Sequence, residues 1–93
     1  MDQTEARSIL SDHLAVLRGR RYDDLRALLD EPEVSEVTGP SGALYQVELQ
    51  AMWDNRRSGS ILVIASIDDG GWRAFAPMSE SFIVAPDGSS VGD

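Results

Sequence analysis

Cysteine is absent from the 93 residues, and so is lysine. The first absence excludes a disulfide framework, a thiolate nucleophile and thiolate metal ligation. The second excludes a phosphate loop of the glycine–lysine type. There is one histidine, His13, too few for a His–His metal pair. No apolar run approaches the roughly 20 residues that cross a bilayer. The opening residues Met1 to Glu5 are polar and acidic, so no secretory leader is expected to begin there. Together with the missing cysteine, this sets the expected location as the cytoplasm. No glycine fingerprint follows a strand pattern, and no serine sits in a nucleophile elbow.

What the sequence does contain is acid and arginine. The formal net charge is −8, and all eight basic residues are arginine, a bias that fits GC-rich coding. An acidic surface repels phosphate, so nucleic acid is an unfavourable partner, whereas a basic protein is attracted in a salt-dependent way. Hydrophobic content of 42% is ordinary for a folded domain, and 93 residues make one domain with one thin two-layer core.

Apolar positions Ala6, Ile9, Leu10, Leu14, Val16 and Leu17 share one broad helical face between Thr4 and Arg18. Asp2, with Glu5 three residues on, is a capping-box start, and Gly19 is a natural stop. A second helix is predicted over Tyr22 to Asp30, closed by Pro32. The short link between them predicts a two-helix hairpin. From Val34 the apolar period becomes two. The pattern predicts a short edge strand over Val34–Thr38, an alternating strand over Ala43–Trp53 and a core strand over Ser60–Ile67. Further strands are predicted at Trp72–Ala76 and Ser81–Ala85, with 86–93 as a flexible tail. The expected fold is α+β: the helical hairpin on one face of a four- to five-stranded antiparallel meander, all in a single domain, 1–93.

That layout raises a question of coverage. In Ser60–Ile67 both parities are largely apolar: Ile61, Val63, Ala65 and Ile67 on one, Leu62 and Ile64 with Ser66 on the other. Two helices cover only one sheet face, so the second needs another occupant.

Candidate functional residues follow from residue type. His13 is the one candidate for acid–base chemistry. That role needs an orienting carboxylate such as Glu48. The preferred reading is a core or rim histidine bonded to a backbone carbonyl. Trp53 and Trp72 are candidate partner anchors, with core packing as the preferred reading of Trp53. Asp68 and Asp69 belong to an acidic cluster that lacks the ligand spacing of a calcium loop, and they are candidate contacts for a basic partner. No cofactor and no metal site is expected.

The run Leu17-Arg18-Gly19-Arg20-Arg21-Tyr22-Asp23-Asp24-Leu25-Arg26-Ala27-Leu28-Leu29 resembles the two-helix opening of the cone-shaped nuclear-transport-factor-2-like proteins. The resemblance covers about a third of the chain and implies a curved antiparallel sheet. In size, acidity and meander pattern the chain also resembles small bacterial immunity proteins, which block toxins through an acidic face. The leading expectation is a non-enzymatic interaction module that binds a basic protein or itself. The alternative is a small-molecule-binding or enzymatic cone with His13 in its pocket.

Overall fold

A computed structural model describes residues 2–70 and 78–91. Helix α1 spans Gln3–Arg18. Its N-terminus is capped by Asp2, whose Oδ1 accepts from the Glu5 N–H at 3.1 Å, satisfying one of the orphan donors of the first turn. The capping is one-sided. The Glu5 carboxylate reaches away from the helix to another element, described below. Gly19 ends α1 in a right-handed conformation, φ −87°, donating its N–H to the Val16 carbonyl.

Helix α2 is short, Tyr22–Arg26, and tightens into a single 3₁₀ turn over Ala27–Leu29. The second helix of the predicted hairpin, expected to run to Asp30, is therefore shorter: five residues of α-helix and one 3₁₀ turn beside the long α1. Five residues give the second helix few internal hydrogen bonds, and it is held by burying Leu25 and Leu28 rather than by its own propensity.

The strands form one five-stranded antiparallel sheet in sequence order: β1 (Glu33–Thr38), β2 (Leu44–Asn55), β3 (Ser60–Asp68), β4 (Met78–Val84) and β5 (Ser90–Val91). β3 lies at the centre, as its unbroken apolar run predicts. The strand predicted at Trp72–Ala76 lies outside the described residues. The predicted flexible tail differs in part: Ala85 to Ser89 turn back through Gly88, φ +89°, and Ser90–Val91 pair with Val84 and Ile83. The Asp87 carboxylate accepts from both the backbone N–H and the hydroxyl of Ser89, which closes that turn.

All helical elements pack on one face. Ala6, Ile9, Leu10 and Leu17 from α1, with Leu25 and Leu28, meet Tyr45, Val47, Leu49, Ile61, Val63, Ala65, Ile67, Phe82 and Val84 in one core. α1 lies over β3 and β4, while the 3₁₀ turn lies over β2. Two polar ties fix this layer. Tyr22 donates its hydroxyl to the Gly59 carbonyl in the β2–β3 turn. At the other end Glu5 accepts from the Tyr45 hydroxyl at 2.7 Å and from the Ser41 hydroxyl and N–H at 2.7 and 2.9 Å. Gly39 passes so close to Glu5 that an added Cβ would lie 2.6 Å from Oε1.

Candidate functional site: the open face of the sheet

Register places every second strand residue on the face away from the helices. Read as cross-strand rows, that face changes character from one end to the other. Glu36, Gln46 and Asp68 form one row; Val34, Glu48, Ser66 and Ser79 form the next. Gln50, Ile64 and Ser81 follow. The last row is apolar across four strands: Met52, Leu62, Ile83 and Val91. Met52 is 54% exposed and Val91 40%, whereas Leu62, Ile64 and Ile83 are half-buried. Among the described residues no helix or strand packs on this face, and its strand positions supply no basic side chain. The carboxylates Glu36, Glu48 and Asp68 thus gather towards one end, where Val34 and Leu44 are also exposed, and the four-strand apolar row lies at the other.

The neighbouring face has the opposite character at the same positions of β3: Ile61, Val63, Ala65 and Ile67 are fully buried. The contrast is the period-two consequence of pleating, since adjacent side chains on one strand cannot share a cover.

The candidate residues are dispersed relative to this face. Asp68 lies on it, half-buried, and its Oδ1 accepts from the Gly70 N–H at 2.7 Å, ending β3 in a tight turn. Asp69 is exposed in that turn. Trp53 lies on the helix side instead, half-buried beside the core, with the Arg26 and Arg56 guanidinium groups 5.5 and 5.9 Å from its ring centre. It does not share a face with Asp68. Trp72 lies outside the described residues.

His13 is half-buried on α1, and its Nδ1–H donates to the Ile9 carbonyl one turn back at 3.0 Å. With Asp12, Val16, Leu17, Arg20 and Leu49 it lines a hollow of about 250 Å³ between α1 and the sheet. Glu48, the carboxylate expected to orient it, projects from the opposite face of β2, because its neighbours Val47 and Leu49 fill the core. The helix-side hollow thus lacks that base–carboxylate pair.

Two sets of residues escape a sequence reading. The apolar row becomes visible only through register, because Met52, Leu62, Ile83 and Val91 come from four strands. The Glu5–Tyr45–Ser41 cluster joins residues about 40 positions apart. Hydrogen bonds from Tyr45 first and then Ser41 hold the Glu5 carboxyl below its ordinary value, and the same bond with burial pushes the Tyr45 hydroxyl up to about 12.

No group of three or more histidine or acidic side chains is arranged to hold a metal among the described residues. No described helix is long and apolar enough to cross a membrane. Comparison with protein-family models, with curated proteins and with solved structures returned no match.

Proposed function

We propose that this chain is a non-enzymatic interaction module whose open sheet face docks a basic protein. The observation that carries the reading is the four-strand apolar row Met52–Leu62–Ile83–Val91 beside the acidic positions Glu36, Glu48 and Asp68 on a face that no described helix or strand covers. An apolar patch flanked by one sign of charge supplies burial energy at one end and steering at the other.

A second copy is a poorer occupant. The five side chains at the apolar end, Met52, Leu62, Ile64, Ile83 and Val91, each no more than about half exposed, supply well under the ~800 Å² that a stable interface takes from each partner. The missing area must come from the acidic rows. A two-fold axis across the strands that stacks apolar row on apolar row leaves those rows overhanging. An axis along the strands sets them on their own copies. On a chain of net charge −8, neither arrangement is favoured. A basic partner recovers both ends of the face.

Calorimetric titration tests the reading, with a synthetic helical peptide of leucine and arginine that has one apolar and one cationic face. Binding should weaken as salt rises, and it should be lost in a chain carrying Met52→Asp with Ile83→Asp, two changes outside the helix-side core. A scrambled peptide of the same composition should bind less tightly. Equal binding of the scrambled peptide, or no effect of the double substitution, would remove the open face from the proposal.

A further inference from the structure

Strand β1 is an outer edge of the sheet over its whole length. Its six residues pair with β2 in continuous register, with no bulge. The opposite edge ends in the two-residue strand β5. Natural sheets guard exposed edges with lysine, proline, bulges or shortness. β1 has no proline, lysine or bulge, and its only charges are the two glutamates of Glu-Val-Ser-Glu-Val-Thr, which guard it against its own copy but not against a basic strand.

The direction of its backbone groups follows from the adjoining turn. The Gly39 N–H donates to the Ala43 carbonyl at 2.8 Å, in the same register as the rest of the pair. In an antiparallel pair, bonded and non-bonded positions alternate. Val37, Ser35 and Glu33 therefore turn their N–H and C=O towards β2, and Val34, Glu36 and Thr38 turn theirs outward. That edge offers up to six hydrogen-bonding groups in one straight line, and no described backbone group takes them.

The charge beside the edge selects the occupant. Asp30, Glu31 and Glu36 are exposed. Glu33 is engaged by the Arg20 guanidinium through bonds of 2.8 and 3.2 Å, whereas Glu36 has no ion-pair partner among the described residues. A shallow hollow of about 420 Å³ lies next to it, lined by Val34, Glu36, Leu44, Gln46 and the turn at Asp69 and Gly70. A second copy of β1 would bring Glu33 and Glu36 from both chains into one short ladder, where like charges across strands are destabilising.

We propose that β1 accepts an extended, basic segment of another protein as a sixth strand, with an arginine or lysine side chain beside Glu36 over this hollow. The inference rests on the reading of the chain as a module for a basic partner and names how that partner's backbone enters. Main-chain hydrogen bonds at Val34, Glu36 and Thr38 give affinity, and alternate side chains give selectivity.

Selection from a displayed library of random octapeptides on the immobilised full chain tests it. The enriched peptides should carry arginine or lysine at alternate positions. In solution they should slow amide exchange at Val34, Glu36 and Thr38. Val34→Pro removes an outward N–H without touching the bonds to β2, and should weaken binding about tenfold. Glu36→Gln should weaken it and flatten its salt dependence. If Val34→Pro lowers the unfolding midpoint, the selected peptide with alternate amides N-methylated replaces it, and should fail to bind the unaltered chain. The double variant Met52→Asp/Ile83→Asp, at the far end of β2 and on β4, leaves the outward groups of β1 unchanged and should bind the peptides normally. Binding that survives Val34→Pro and peptide methylation but is lost in the double variant would overturn strand addition and leave docking on the face intact. Enrichment of acidic peptides, or of none, would overturn both.

Discussion

At the residue scale, the Tyr45–Glu5 bond ties the first turn of α1 to the start of β2 and couples stability to pH at both extremes. Glu5 titrates below its unfolded value of 4.5, so its contribution is present above that pH and is lost as pH falls through the lower folded value. Tyr45 titrates at about 12 when folded, against 10.0 unfolded. Its contribution is complete below pH 10 and is lost as pH rises towards 12. Tyr45→Phe should reduce stability at neutral pH, and the difference from the unaltered chain in urea midpoint should shrink both below pH 4.5 and above pH 10. Gly59 makes a different demand. Its φ is +83°, and an added Cβ would stand 2.8 Å from Pro86 Cγ. Gly59→Ala should cost at least about 1–2 kcal/mol from backbone strain alone, read as a lowered urea midpoint at unchanged slope.

At the element scale, β3 shows what a sequence discloses and what it withholds. A run that is apolar at consecutive positions reads as a strand with both faces turned away from water, and such a strand sits inside a sheet rather than at its edge. Its alternation into a fully buried set and a half-buried set depends on where the helices land, which is tertiary information. Ile67→Ala should cost about 2–5 kcal/mol, as expected for a filled core position. Ile64→Ala, on the open face, should cost clearly less, because its side chain is half-buried. Comparable losses in chemical denaturation would mean that the open face is covered. The α1 stripe and the β2 alternation are equally legible, since each repeats a simple period over many residues. The second helix is less so: Tyr22, Leu25, Leu28 and Leu29 fit a helical stripe, yet the last turn tightens to 3₁₀. The Ser90–Val91 strand is hidden for another reason. Its two residues carry no period, and only the Asp87–Ser89 turn aims them at β4.

At the scale of the whole molecule, the described residues form a two-layer fold in which the helical layer uses up one face of the sheet and leaves the other with carboxylates gathered towards one end and an apolar row at the other. The need for a cover is legible in the sequence, because Leu62 and Ile64 alternate with the core residues. The site itself is not, because its rows cross four strands, and register is the product of turns and packing rather than of any one segment. Trp53 illustrates the limit. Residue type makes it an anchor candidate, but its parity assigns it to the helix side, where two arginines flank its ring.

We propose that the open face, and not the helix-side hollow at His13, meets a basic partner. The most direct test is a nuclear magnetic resonance titration of the full chain with the cationic amphipathic peptide. Docking at the open face should shift the methyls of Met52, Leu62, Ile64, Ile83 and Val91, with the methyls of Ile61, Val63 and Ile67 unmoved and the His13 ring signals unchanged. Shifts centred on His13, Val16 and Leu49, or none at any of these positions, would contradict it.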